Sequence, residues 1–279
     1  MDLDPAEIER VIDAALAEDV GLGDATTRAT VPPGTRLRLV MATREDIVPA
    51  GLEIAAAVFR RLAPDATVEV LARDGTRVPA KTVLARIEGP AQGLLTAERT
   101  ALNLVQMLSG IATATRAYVN RIAGTKAKLL DTRKTVPGLR ALSKYATRMG
   151  GAVNHRMRLD DGILIKDNHV AVAGSVGEAV RRAKAANTGI RDVRAECDTL
   201  AQVEEALAAG ADSILLDNMT PAGLREAVRI VAGRVPLEAS GGVTLETVRA
   251  IAETGVDFIS TGRITQAAPA VDIGLDLAD

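Results

Sequence analysis

The sequence predicts an α/β protein in which a (β/α) barrel follows an N-terminal α+β region. Two observations carry this. In the second half, short apolar strands recur, and the last four have centres about 20 to 22 residues apart, with helical patterns between them. Strand and helix alternating at that spacing give parallel strands joined by right-handed crossovers. The first part of the chain instead mixes single helices with strands separated by turn signals. A doubly wound sheet is the alternative for the second half.

Each element has its own signal. Residues 6–19 read as an amphipathic helix, with Ile8, Val11, Ile12, Ala15 and Leu16 on one face. Strands are read at 37–42 and 67–71, with a helix at 54–62 between them. A third strand at 82–87 follows the Asp74-Gly75 turn signal. Residues 91–123 read as one or two long helices, broken near Ser109-Gly110. The domain boundary is placed there, at 105–112. This gives an α+β domain over 1–108 and a barrel domain over 109–266, with the tail 267–279 packing back on the first. Barrel strands are read at 127–131, 163–166, 193–197, 213–217, 235–239 and 258–261. Helices fill 176–186, 200–209, 221–231 and 245–253.

Composition narrows the function classes. A chain of 279 residues buries a large core. Two Tyr and two Phe are its only aromatics, so the core is built from Ala, Val, Leu and Ile. A net charge of −2 with so few rings argues against base stacking on single-stranded nucleic acid. The single cysteine, Cys197, excludes an internal disulfide and fits a reducing cytoplasm. Met1-Asp2-Leu3-Asp4 lacks the basic and apolar regions of a signal peptide. No uncharged apolar run approaches the length of a membrane span.

Charge is concentrated in one place. Residues 131–169 hold eight Lys or Arg against four Asp, and both histidines of the chain. Cations gathered this way in a slightly acidic protein point to a small, multiply anionic ligand. The predicted strands end at Asp131, Arg133 and Lys134, at Lys166, Glu196 and Asp217, at Glu238 and Ser240, and at Thr261 and Gly262. Barrel enzymes build their sites at that end of the strands. Ser240-Gly241-Gly242 and Thr261-Gly262-Arg263 sit in the last two strand-to-helix loops, where backbone N–H groups can face a phosphate. Glu196 and Asp217 could hold Mg²⁺, accept ribose hydroxyls or stabilise a developing positive charge; an ion pair with nearby cations is the structural alternative. Arg133, Arg156 and Lys166 suit carboxylate recognition. A metal site of His155 and His169 with Asp131 or Asp167 lacks supporting ligand spacing. Cys197 reads as a packing residue. Lys166 could also serve as a Schiff-base lysine.

Ordered motifs along nearly the whole chain resemble the quinolinate phosphoribosyltransferase family. They run from Glu18-Asp19, Gly23-Asp24 and Thr26-Thr27 through 98–103 and 109–113. Asp131-Thr132-Arg133-Lys134-Thr135, Pro137-Gly138, Lys144-Tyr145-Ala146, Gly150-Gly151 and Asn154-His155-Arg156 follow. Residues 165–169, 216–219 and Ser240-Gly241-Gly242 complete the set. The resemblance implies a pentosyltransferase that joins quinolinate to phosphoribose, with Mg²⁺, releasing pyrophosphate and CO₂ in NAD biosynthesis. It implies an incomplete barrel and a head-to-tail homodimer with shared sites. Arg99 would reach quinolinate from the neighbouring subunit, and Arg133, His155, Arg156 and Lys166 would grip its carboxylates. Thr132 lies in the same motif as Arg133. Lys134 would face the pyrophosphate, Glu196 and Asp217 the ribose and Mg²⁺, and Ser240, Gly241, Gly242, Thr261, Gly262 and Arg263 the 5′-phosphate.

Three positions depart from the family pattern. Arg194 stands where the resemblance expects the first acid of a Glu-x-Glu pair, Ala152 replaces a third glycine, and Arg263 with Thr265-Gln266 replaces a small residue and a Thr-His. Arg263 is expected to take over phosphate contact from the missing histidine. Competing readings are the paralogue associated with molybdenum transport, an aldolase using Lys166, and a phosphate-ligand sensor with a degenerate site.

Overall fold

The computed structural model describes residues 3–186, 189–190 and 192–278. Met1 and Asp2 of the acidic N-terminus lie outside the described residues. In chain order the first elements are α1 (Pro5–Val20), α2 (Ala25–Thr30), β1 (Arg36–Thr43), α3 (Leu52–Leu62), β2 (Thr67–Val70), β3 (Val83–Pro90) and α4 (Ala91–Arg121). Then come β4 (Lys128–Leu130), α5 (Arg140–Gly150), β5 (Ile163–Ile165), α6 (Asp167–Ala173), α7 (Val176–Ala185), β6 (Val193–Cys197) and α8 (Leu200–Ala208). The last are β7 (Ser213–Asp217), α9 (Pro221–Val231), β8 (Leu237–Ser240), α10 (Val248–Ala252), β9 (Phe258–Ser260), α11 (Arg263–Gln266) and β10 (Ile273–Leu277). No described helix is long and apolar enough to cross a membrane.

The chain divides into two compact units. The first comprises Met1–Arg116, Thr135–Gly151 and Ala267–Asp279. Its antiparallel sheet has the order β10-β1-β3-β2, so the C-terminal strand pairs with the first strand of the chain. Ile12, Met41, Phe59, Leu84, Leu94, Leu108 and Leu142 form its core. Burying each such side chain stabilises the unit by about 1.5–3 kcal/mol. Asp4 caps α1 by accepting from Ala6 N–H at 3.0 Å, with Pro5 in the first turn.

Helix α4 is continuous, which corrects the break expected near Ser109-Gly110. Both residues serve close approach instead. Ser109 Oγ accepts from Ala50 N–H at 3.0 Å, and a Cβ at Gly110 would collide with the backbone of Pro269.

The second unit comprises Ala117–Lys134 and Ala152–Gln266. Its six strands are all parallel, in the order β4-β9-β8-β7-β6-β5. Strands β5 to β9 run in unbroken sequence, with none of the order reversal that marks a doubly wound sheet. β4 and β5 do not pair, so this is a barrel left open at one seam. Val153 bridges to Leu130 at that seam. Alternation sorts the side chains. Ala195, Cys197, Ile214, Leu216, Ala239 and Ile259 pack outward against helix residues such as Val180, Val203, Ala206, Leu224 and Val248. Their neighbours Glu196, Leu215, Asp217, Glu238, Ser240 and Ser260 line a cavity inside.

Candidate active site

The cavity opens at the C-terminal ends of the strands and has a volume of about 620 Å³. It is lined by every residue that the family resemblance assigns to substrate, ribose or phosphate except Arg99: Thr132, Arg133, Lys134, His155, Arg156, Lys166, Glu196, Asp217, Ser240, Gly241, Gly242, Thr261, Gly262 and Arg263. Arg99 is exposed on α4 in the first unit.

The cationic wall is built from the loop after β4 and the segment after Val153. Asp131, fully buried, accepts from Asn154 Nδ2 at 2.6 Å and from His155 N–H at 2.8 Å, which fixes that segment beside β4. Lys134 N–H donates to Thr132 Oγ1 at 3.0 Å, and Thr265 Oγ1 donates to the Lys134 carbonyl at 2.6 Å. Arg156 Nη1 donates to the Gly162 carbonyl at 2.7 Å, just before β5. Burial first, and then the adjacent Arg133, push the Arg156 guanidinium below its usual pKa; Asp161 opposes this and Arg194 adds to it. The Nε of Arg133 is buried with no hydrogen-bond partner among the described residues. Both guanidinium groups are therefore in surroundings that an anionic ligand would improve.

The acidic wall comes from β6 and β7. Glu196 accepts from Lys166 Nζ at 2.9 Å. Burial first, then the charge of Asp198, raise the Asp217 carboxyl above its usual range; Lys166 and Lys134 pull the other way. A carboxylate in that state is stabilised by a cation. Mg²⁺ commonly uses one or two carboxylates and completes its shell with water and substrate phosphates. Glu196 and Asp217 fit that donor set. No described group of three or more His, Cys, Asp or Glu forms a metal cage. His169 lies elsewhere: its Nδ1 accepts from Lys166 N–H at 3.0 Å and caps α6.

The third wall is backbone. Gly241 has φ +83°, and a Cβ there would collide with the Asn218 side chain. A Cβ at Gly262 would sit 2.8 Å from Lys134 Cδ. Glycine at these points lets the two loops close around the cavity and leaves their N–H groups open to a phosphate.

Cys197 is not part of this chemistry. Burial, followed by nearby acids, pushes its thiol up to about 12, so it does not form a nucleophilic thiolate near neutrality. Lys166 has a carboxylate partner rather than the apolar pocket that frees a lysine for Schiff-base chemistry. Asn218, Glu238, Ser260 and Gln266 also line the cavity and were not singled out as site residues. For Glu238 and Ser260 the signal was the period of two along the strands, since they lie two positions before Ser240 and Gly262; Asn218 and Gln266 lie outside the strands and carry no such signal.

Comparison with known proteins agrees with this geometry. The family model described as quinolinate phosphoribosyl transferase, N-terminal domain, matches residues 24–109, and that for the C-terminal domain matches 111–276. The chain is 48% identical over 269 residues to the nicotinate-nucleotide pyrophosphorylase [carboxylating] of Mycobacterium leprae, covering 94% of each. The structure of the nicotinate-nucleotide pyrophosphorylase from Francisella tularensis superposes with a TM-score of 0.95 at 39% identity, covering 99% of this chain and 98% of that one. That from Ehrlichia chaffeensis gives a TM-score of 0.93 at 42% identity, covering 100% of both chains.

Proposed function

The chain belongs to the quinolinate phosphoribosyltransferase family, and from that premise we propose that it transfers phosphoribose from phosphoribosyl pyrophosphate to quinolinate. The products are nicotinate mononucleotide, pyrophosphate and CO₂, and the setting is NAD biosynthesis in the cytoplasm. One observation carries this reading. The guanidinium groups of Arg133 and Arg156, the acids Glu196 and Asp217, and two glycine loops meet in one cavity. A dianionic acceptor and a more negative donor need all three surfaces.

In the proposed reaction Arg133, His155, Arg156 and Lys166 hold the two carboxylates of quinolinate, with Thr132 beside them. Arg99 reaches the same ligand from the partner subunit of a homodimer. Ser240 to Gly242 and Thr261 to Arg263 cradle the 5′-phosphate, with Arg263 supplying the charge that the missing histidine would have given. Breaking the anomeric C–O bond builds positive charge on the ribose, which the carboxylates of Glu196 and Asp217 stabilise. Lys134 balances the departing pyrophosphate. Mg²⁺, when bound, shares that charge balance.

The ring nitrogen then bonds to the anomeric carbon, and no enzyme nucleophile is required. The pyridinium so formed stabilises the electron pair left on the adjacent ring carbon when its carboxylate departs as CO₂, and that carbon then takes up a proton. The side chains holding that carboxylate must do so without favouring the bound substrate over the transition state.

The test uses quinolinate labelled at the carboxylate next to the ring nitrogen. Purified protein with Mg²⁺ and phosphoribosyl pyrophosphate should release labelled CO₂ and pyrophosphate in equal amounts. Pyrophosphate without labelled CO₂ would overturn the reading.

A further inference from the structure

At the base of the cavity lies a buried ion pair that the proposed reaction leaves unused. Arg194 on β6 and Glu238 on β8 are separated in the sheet by β7. Register sets Arg194 beside Ser213, and Leu215 beside Glu238, so the arginine side chain must cross β7 to reach the carboxylate. Its Nε donates to Ser213 Oγ at 2.8 Å, and its Nη1 donates to Glu238 Oε2. The two side chains are only 15% and 2% exposed.

His155 joins them. Its Nδ1 accepts from Arg156 N–H at 2.7 Å, which turns the other ring nitrogen, Nε2, toward Arg194 and Glu238. That nitrogen lies 3.5 Å from Glu238 Oε2 and 2.7 Å from Arg194 Nη1. One carboxylate oxygen thus faces both the arginine and the histidine. The other, Oε1, is buried with no hydrogen-bond partner among the described residues. Burial works to raise the Glu238 carboxyl, but the His155 hydrogen bond and the Arg194 charge hold it below its usual range. Barrel interiors are mostly filled by branched apolar side chains. A buried carboxylate without its cation is strongly destabilising.

Arg194 does not line the larger cavity. It lines a second one of about 250 Å³, and His155 and Arg156 belong to both. It therefore acts on the site through His155 and Glu238. It also stands where the family resemblance expects an acid. An acid there would set a second negative group below the place where a dianion binds.

We propose that Arg194 is a positioning residue for the acceptor. It cancels the charge of Glu238 at the base of the cavity, so that His155 faces quinolinate instead of pairing with an uncompensated carboxylate. This rests on the proposed function.

Four proteins test it: wild type, Arg194→Gln, Glu238→Gln and the double variant. Arg194→Gln should raise KM for quinolinate at least about tenfold, as the loss of a partner from a buried charge does. KM for phosphoribosyl pyrophosphate should stay within about twofold, because that ligand faces other walls. The double variant removes both charges and should return the quinolinate KM close to wild type. An unmoved quinolinate KM in Arg194→Gln overturns the proposal. So does a double variant as impaired as the single one, which is the result of a purely structural role. Where Arg194→Gln fails to fold, the double variant carries the test: a quinolinate KM raised tenfold in it overturns the proposal. A wild type that neither binds nor turns over quinolinate overturns the proposed function, whereas an active wild type with these failures overturns only the role of Arg194.

Discussion

Asp217 is the residue whose environment departs most usefully from the ordinary. Burial and Asp198 raise its carboxyl, and the two lysines nearby offset this only in part. A raised carboxyl takes up its proton at a higher pH than a free aspartate, near 4. If its carboxylate stabilises the ribose, activity must fall as pH drops through that raised value. The acid limb of kcat/KM, which reports the free enzyme, should lie above the ordinary aspartate range, and Asp217→Asn should lower the rate and remove that limb. An acid limb at the ordinary value contradicts the assignment. At this scale the chemistry was legible where a charged residue closes an apolar strand, as Lys166, Glu196 and Asp217 do. Partners were not. That Lys166 pairs with Glu196, or that Arg194 reaches Glu238 across β7, depends on register between strands, which one chain's pattern does not contain.

Regular elements were legible in proportion to their apolar period. The parallel strands and helices α7, α8 and α9 lie within a residue or two of their expected places, because alternating burial writes a clear pattern. Helix α5 was missed for a physical reason. Its buried positions include Ser143, Lys144 and Thr147, so polar residues occupy the face that would have shown the helical period. Strand β10 was missed because its identity depends on pairing with β1, more than two hundred residues away in sequence. Gly110 misled in the other direction. In an open helix, Gly110→Ala would stabilise by up to about 1 kcal/mol. Here the added Cβ would meet the backbone of Pro269, which cannot swing aside as a side chain can. Urea unfolding should show Gly110→Ala destabilised by about 1–3 kcal/mol; a stabilised variant would mean an open helix face with no close approach of Pro269.

At the scale of the whole molecule, few features exclude as much as the mix of charge and sparse aromatics. A chain with net charge −2 confines its excess cations to one segment. Part of that segment lines the cavity, through Arg133, Lys134, Arg156 and Lys166, while Arg140, Lys144 and Arg148 belong to α5 of the first unit. The cluster read as one site in the sequence is thus divided between two units by the fold. In the proposed reaction the guanidinium groups that remain at the cavity meet an acceptor with two carboxylates. The direct test is acceptor choice. Purified protein with Mg²⁺ and phosphoribosyl pyrophosphate is offered quinolinate or nicotinate, and nicotinate mononucleotide is measured by chromatography. The account predicts product from quinolinate and essentially none from nicotinate. Product from nicotinate at a comparable rate, or from neither acceptor, would contradict it.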